Sequence, residues 1–492
     1  MKLETDAPPA TTPCSRRRAR TVLAVLALFI VINAADKAVL GLTAGPIKDD
    51  LRLTATEFGV IASSFYLLFS VSAVAVGFLG DRVRARPLLA ALALVWAAAQ
   101  LPILLPAAGF GILVATRVVL GAGEGPGYPL ANYTAFTWFP EKERSLPSAV
   151  VVAGGAGGTV VAAPLVILVS NTLGWRAAFG LLGGIGILWV IVWLRLGGSG
   201  PYTAGFDGAR PESERPVGTP QDTALPTAAA LLDTAVSAPA LPAVAPVADA
   251  VSVAARRGAA RRGTGRSGAT RSRTDHEIPF RRIVTTGTWV GSTFSAFTVM
   301  WTLALGFAWL PLFLEEQAGF SDAEISGIVG LPAVSMALLV LTAGAVAQRL
   351  LRRGTSARVA QGLLGGSLPL LAGVCLLMTT RVGPAVLLLP LLVVAFSAGN
   401  GQTPLTSSAI ADICPPGRRS AALGLSYALA ALSSLLAPYV TGRIIDAAPS
   451  EATGYAQAFD LAGWLLIAGG VISMLLIRPD RDALLIRATA KE

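Results

Sequence analysis

The sequence predicts an all-α polytopic membrane protein, with twelve transmembrane helices in two six-helix bundles related by pseudo-twofold symmetry. Three observations carry that prediction. Of 492 residues, 53% are hydrophobic and only 14% charged, and the mean hydropathy is +0.64; an ordinary soluble domain carries about 25% charged residues. Apolar runs of about twenty residues, each long enough to cross a bilayer, recur from one end of the chain to the other. The two halves also repeat. Pro129-Leu130, Pro140, Arg144 and Ser145 return as Pro404-Leu405, Pro415, Arg419 and Ser420, all displaced by 275 residues. Gly174-Trp175-Arg176-Ala177-Ala178-Phe179 returns as Gly454-Tyr455-Ala456-Gln457-Ala458-Phe459, and Gly77-x-x-x-Asp81-Arg82 as Gly344-x-x-x-Gln348-Arg349. Such repeats build two bundles that rock around a site near the midplane.

The twelve spans are read near residues 21–41, 56–79, 87–106, 111–137, 146–170, 176–197, 286–314, 323–347, 358–379, 384–410, 419–441 and 457–477. The first follows Arg16-Arg17-Arg18-Ala19-Arg20 directly. It is too long for a secretory signal and no small-residue cleavage pattern follows, so it reads as an uncleaved span. Alternate connections are basic: the N-terminus, Arg82/Arg84/Arg86, Lys142/Arg144, the long middle segment, Arg349/Arg352/Arg353/Arg358, Arg418/Arg419 and the C-terminal tail. The opposite connections are poor in Lys and Arg, with Lys48, Arg52, Arg176 and Arg381 the main exceptions. That bias places both termini in the cytoplasm and the chain as a multi-pass protein in the cytoplasmic membrane. The expected organisation is a tail over 1–20, a bundle over 21–198, a disordered basic linker over 199–283, a second bundle over 284–478 and a tail over 479–492. The linker is rich in Pro, Ala, Thr and Ser and then in Arg among Gly and Ala, and cannot bury a core. It reads as a solvated connection, or else as a foot on anionic lipid headgroups, where each basic residue gains about 1 kcal/mol.

Several function classes are disfavoured at once. The net charge of +10 would suit nucleic acid, but most of the arginines flank apolar spans, where topology accounts for them. Cys14, Cys375 and Cys414 are isolated, and His276 is the single histidine. No metal centre, cofactor or His-dependent nucleophilic site is therefore expected, and the protein is not read as an enzyme. Gly154-Gly155-Ala156-Gly157-Gly158 lacks the Lys-Ser/Thr of a phosphate loop and reads as close helix packing.

The stretch Gly77-Phe78-Leu79-Gly80-Asp81-Arg82-Val83-Arg84-Ala85-Arg86 resembles the signature loop of the major facilitator superfamily, with Arg84 where Gly is usual and Ala85 where a base is usual. The resemblance covers all twelve spans and implies that Gly77, Asp81, Arg82 and Arg86 belong to a cytoplasmic gate. Within that superfamily the chain looks most like the anion:cation symporters. Arg117 to Gly125, followed by Pro129, Trp138-Phe139-Pro140 and Glu143-Arg144, resembles their fourth span and its exit. Asp36-Lys37 resembles their acid–base pair in span one, with Lys where Arg is usual; Trp309-Leu310-Pro311 with Gly319-Phe320-Ser321 resembles their seventh span and following loop. An ammonium offers no planar fork to a carboxylate, so substrate geometry is expected to differ.

Independently of resemblance, Asp36, Lys37, Arg117 and Glu124 are ionisable groups deep in the first half, with no equivalent set deep in the second. A charge at the bilayer centre costs at least about 2.5–3.5 kcal/mol, so these residues need a reason. Counting along the helices puts Asp36, Lys37 and Arg117 at similar depth and Glu124 about 10 Å deeper on nearly the same face as Arg117. Spans one and four line the cavity in the resembled fold. Lys37 and Arg117 are therefore expected to grip an anion, and Asp36 and Glu124 to carry protons, since desolvation favours the neutral carboxyl. A plainer reading has the charges merely neutralising one another between spans one and four. Asn33, Tyr66, Tyr128 and Asn132, with Trp301, Asn400, Gln402, Ser426 and Tyr427, are candidates to hydrogen-bond a substrate. Asn400 and Gln402 lead the second-half group, because Gly399 to Pro404 echoes the interrupted helix around Leu120-Gly121-Ala122-Gly123-Glu124-Gly125-Pro126-Gly127-Tyr128-Pro129. In that stretch the glycines leave room for a ligand or for a neighbouring span.

The expected function is proton-coupled uptake of a small organic anion, such as a sugar acid or aromatic carboxylate, by a monomer working through alternating access. The partners are the anion, a proton and the lipid bilayer; no nucleic acid is expected. A drug/proton antiporter is the nearest rival, though Gly158 and Pro164 are too far apart for the Gly-Pro motif typical of its span five. Sugar or nitrate uptake, and a non-transporting sensor on the same fold, remain as alternatives.

Overall fold

A bilayer core offers no water to a spanning backbone, so each crossing segment bonds its own amides as a helix. Every regular element among the described residues is helical. The computed structural model describes residues 13–80, 85–139, 145–202, 279–382, 385–415 and 418–488. All belong to one unit, Met1–Gly208 with Thr274–Glu492; the other unit, Ala209–Arg273, lies outside the described residues. Asp81, Arg82, Arg84, Lys142, Arg144 and His276 also lie outside them, and with them much of the predicted gate and basic linker.

The first half contains α1 (Pro13–Leu42), α2 (Ala44–Leu51), α3 (Ala55–Gly80), α4 (Ala85–Gln100), α5 (Phe110–Glu124), α6 (Gly127–Phe136), α7 (Ser145–Leu173) and α8 (Trp175–Leu196). The second contains α9 (Phe280–Val284), α10 (Gly287–Leu312), α11 (Asp322–Ile328), α12 (Gly330–Arg352), α13 (Leu364–Thr379), α14 (Ala385–Ser397), α15 (Thr403–Ile413), α16 (Arg419–Ala447), α17 (Glu451–Leu476) and α18 (Pro479–Ala488). Among the described residues, ten helical runs are each long and apolar enough to cross a membrane. The two remaining predicted spans, four and ten, are broken. Span four is divided into α5 and α6, where Pro126 and Pro129 withhold the amide donors a continuous helix needs. Span ten is divided by a 3₁₀ turn, Ala398–Gln402, just before Pro404.

The glycines of span four serve a neighbouring span. A Cβ on Gly121 would stand 1.8 Å from the Phe65 carbonyl oxygen, and one on Gly125 2.0 Å from that of Phe69, so α5 lies directly on the α3 backbone. Gly154 and Gly158 similarly face the α1 carbonyls of Ala27 and Val31. Deeper in the first half, Phe29 packs on Trp96 and Trp189 with ring centroids 4.6 and 4.7 Å apart, and Trp189 Nε1 donates to Val25 O at 2.8 Å. Gly121→Leu is expected to destabilise the fold by about 3 kcal/mol or more, because backbone cannot yield as a side chain does. Thermal unfolding in detergent checks this, with Gly111→Leu, where a Cβ meets open space, expected to be near neutral.

The end of the molecule reached by the C-terminus of α1, here called the distal end, holds the polar contacts that join the halves. Asp446 on α16 accepts from the backbone amides of Ala55 and Thr56 at 3.0 and 2.7 Å, thereby capping α3 of the other half. Lys48 pairs with Glu316 at 3.3 Å, and Asn171 Nδ2 donates to Asp322 at 2.6 Å. Tyr439 N donates to Ser63 Oγ at 3.0 Å. A Cβ on Gly442 would meet Ala55 O at 2.2 Å, so the two backbones touch. Within the first half, Asp50 binds Arg176 at 2.5 Å, and that guanidinium holds its carboxyl below the usual carboxylate range. On the proximal side, Tyr128 and Tyr427 are 44% and 51% exposed.

Candidate functional site

Three buried charges, Asp36, Arg117 and Glu124, and the half-buried Lys37 meet across α1 and α5. Adjacent helical residues diverge by about 100°, so Asp36 and Lys37 face different neighbours. Lys37 turns to α5, where Nζ lies 3.6 Å from Glu124 Oε2. It also donates to Asn33 Oδ1, one turn back on the same face, at 2.5 Å, and sits 5.4 Å over the Phe69 ring. Asp36 turns to α4 and accepts from Gln100 Nε2 at 2.6 Å. The acid and base that are neighbours in sequence are thus not the pair that neutralise each other; the pair is Lys37 with Glu124.

Counting along the helices separates Lys37 and Glu124 in depth, yet their side chains meet. Helical side chains lean toward their own N-terminus. Successive spans alternate in direction, so Lys37 leans toward the proximal end and Glu124 toward the distal end, which closes the gap.

Arg117 is 2% exposed. Its Nη1 donates to the Asp36 backbone carbonyl at 3.2 Å, and its guanidinium carbon lies 4.9 Å over the ring of Phe179 on α8. Its Nε and Nη2 are buried without a hydrogen-bond partner, as are both carboxylate oxygens of Glu124. A buried guanidinium with two idle donors is a strained electrostatic arrangement that an anion would relieve. Arg117 and Lys37 line one recess with Leu40, Ala62, Phe65 and Tyr66, closed by Ala304, Phe307, Ala308 and Pro438 of the second half. Its volume is about 20 Å³, room for about one water molecule. An organic anion reaches both bases only when the apolar second-half wall withdraws.

Of the other sequence candidates, Tyr66 lines the recess and Asn33 accepts from Lys37. Tyr128 is partly exposed on the proximal side. Gln402 is buried in the second half, where its Oε1 accepts from Ser295 Oγ on α10 at 2.5 Å. Asn400 donates to Phe396 O at 3.5 Å. The 3₁₀ turn that breaks span ten directs Gln402 into its own bundle. Arg86 donates to Leu194 O, and its own carbonyl accepts from Trp193 Nε1 at 2.9 Å, so it ties α4 to α8 within the first half. Gly77 lies near the end of α3. Gln100 was not legible as a site residue; its only sequence signal is a lone amide at the end of an apolar run. Among the described residues no group of three or more His, Cys, Asp and Glu is placed to hold a metal.

The Major Facilitator Superfamily profile matches residues 26–403 and 293–491. The D-galactonate transporter of Escherichia coli O6:H1 is 24% identical over 475 residues, covering 96% of this chain and 98% of that protein. The hexuronate transporter of Bacillus subtilis is 25% identical over 464 residues, covering 92% and 94%. Among solved structures, a bacterial homologue of the human lysosomal transporter Spinster, in an inward-facing and unoccupied conformation, superposes with a TM-score of 0.69 at 17% identity, covering 97% of this chain and 99% of that one. With helices alone among the described residues, the predicted order of spans and a family match over nearly its whole length, the chain belongs to the Major Facilitator Superfamily and is a membrane transporter rather than an enzyme.

Proposed function

We propose that the protein is a secondary active transporter that couples uptake of a small organic anion to protons through alternating access. The observation that carries the reading is Arg117, buried with two idle donors and lining the same recess as Lys37, whose ammonium pairs with Glu124. The relatives named for D-galactonate and hexuronate transport handle carboxylates, which favours a sugar acid as cargo.

Charge balance supplies the coupling. Asp36 and Glu124 ionised, with Lys37 and Arg117 protonated, sum to zero. A monoanion entering alone would leave one uncompensated negative charge buried, at a cost of several kcal/mol. One proton on Glu124 cancels it and frees Lys37 to join Arg117 on the carboxylate. A cargo of higher charge needs correspondingly more protons. The Lys/Arg bias puts the distal end outside, so the distal contacts between halves describe a state closed to the outside. Their release, and withdrawal of Ala304, Phe307, Ala308 and Pro438, opens the recess for loading.

Glu124→Gln tests the coupling. In proteoliposomes with an imposed pH gradient, accumulation of D-galactonate is expected to fall by at least about tenfold, a coupling of about 1.4 kcal/mol. Exchange of labelled for unlabelled D-galactonate at equal pH is expected to continue. Full gradient-driven accumulation by this variant would exclude Glu124 as the proton carrier. If wild type itself moves none of the sugar acids tried, the cargo assignment fails.

A further inference from the structure

We propose that Gln100 is the positioning residue of a proton site at Asp36, keeping that carboxyl hydrogen-bonded and turned from Lys37 in both protonation states. The inference rests on the proton coupling proposed above and extends it: beside the proton on Glu124, Asp36 holds the second proton that a cargo of higher charge requires. Asp36 and Gln100 are 0% and 1% exposed and touch through a single 2.6 Å hydrogen bond from Gln100 Nε2 to Asp36 Oδ1. The other oxygen of each group, Asp36 Oδ2 and Gln100 Oε1, is buried with no hydrogen-bond partner.

Two acceptors left idle on groups already in contact have one simple chemical completion. An ionised carboxylate only accepts, and it takes the amide N–H. A neutral carboxyl gains one O–H donor. A proton arriving on Asp36 Oδ2 gives that oxygen a hydrogen to direct at Gln100 Oε1, while Oδ1 keeps the N–H bond. The result is a two-bond ring of carboxylic acid and amide, with no covalent bond broken and the proton as the one atom added. Gln100 can serve both states because an amide is donor and acceptor at once; a base in its place would favour only the ionised form, and an apolar residue neither.

The surroundings leave Asp36 no rival partner of this kind. Lys37 faces Glu124 and Asn33, and Arg117 uses the Asp36 backbone carbonyl rather than the carboxyl. Tyr66 on α3 lies at the recess. Among the neighbouring helices, α6, α7 and α10 contain no charged residue, and α8 carries only Arg176 and Arg195, toward its two ends. On α2, Lys48 and Asp50 are engaged by Glu316 and Arg176, and Asp49 is exposed.

Infrared difference spectra of the purified protein, recorded through a pH titration, read the carboxyl directly and need no cargo. The C=O band of neutral Asp36 is identified as the one lost in Asp36→Asn. In Gln100→Met, which keeps length and removes the amide, that band is expected to move to higher wavenumber, as an unbonded carboxyl does, and its midpoint to shift by about one pH unit. If Gln100→Met does not fold, Gln100→Asn, whose amide stops one methylene short, is read for the same two changes. An Asp36 band unaltered in frequency and midpoint overturns the role of Gln100 alone. The absence of any carboxyl band lost in Asp36→Asn overturns the proton site at Asp36 itself, whereas the coupling through Glu124 stands or falls on the accumulation measured for Glu124→Gln.

Discussion

Arg117→Ala is expected to weaken binding of the transported anion by about 100-fold or more. The guanidinium is buried, stacked on Phe179, and has two donors with no protein partner. Truncating one side of a desolvated charged hydrogen bond costs about 2–5 kcal/mol, and about 2.7 kcal/mol already corresponds to 100-fold. A panel of organic anions added to purified protein provides the measurement. An anion at 100 times its dissociation constant raises stability by about 2.7 kcal/mol, and that gain is expected to vanish in the variant. The plainer reading, in which Arg117 only balances Asp36 and Glu124, predicts a different pattern. Removing one buried charge would then destabilise the fold by about 3–5 kcal/mol, and Arg117→Ala with Glu124→Gln would restore neutrality. If Arg117 grips the anion, the double variant recovers stability and still fails to bind. Recovery of binding in the double variant would reduce Arg117 to a counter-charge.

Asp446→Ala is expected to open the distal end. One carboxylate accepts from two amides at the N-terminus of α3, across the boundary between halves, where the helix dipole and the orphan N–H groups both favour a negative charge. Loss of such a cap costs about 0.5–2 kcal/mol, and one or two kcal/mol shifts a two-state ratio by roughly 5- to 30-fold. The readout is the labelling rate of a cysteine introduced by Ala62→Cys, at the recess, in a chain lacking its native cysteines. A membrane-impermeant thiol reagent supplied from the distal side should react faster by that factor once Asp446 is replaced. Asp446→Asn should fall between, because it keeps one acceptor oxygen and loses the charge. An unchanged rate would mean that the Lys48–Glu316 pair and the backbone contacts of Gly59 and Gly442 hold the closure unaided.

Much of this architecture was legible before any coordinates because the bilayer restricts what a chain can do. Apolar runs of membrane length must be helical, and the proline spacing at 126–129 and 404 marked both broken spans. The four site charges were legible for a related reason: an ionisable residue in an apolar run is expensive enough to demand a role. Gln100 carries no charge, so composition gives it no role, and Asp446 reads only as a charge near a span end, where charge costs little. Asn400 and Gln402 are marked out by the broken helix, but which way Gln402 points is set by Ser295 on α10, while Asn400 donates to Phe396 O of its own span.

By itself, the sequence determined the helical class, the number and order of spans, the repeat of halves, and the identity of the buried charges. Those are properties of local composition and of period along one chain. The tertiary structure decided that Lys37 answers Glu124 rather than Asp36, that Gln100 holds Asp36, and that Asp446 of one half caps a helix of the other. Partnerships of that kind depend on how each helix is rotated and how closely it approaches its neighbour. Here carbonyl contacts such as Phe65 with Gly121, and Ala55 with Gly442, set those distances between residues far apart in the chain.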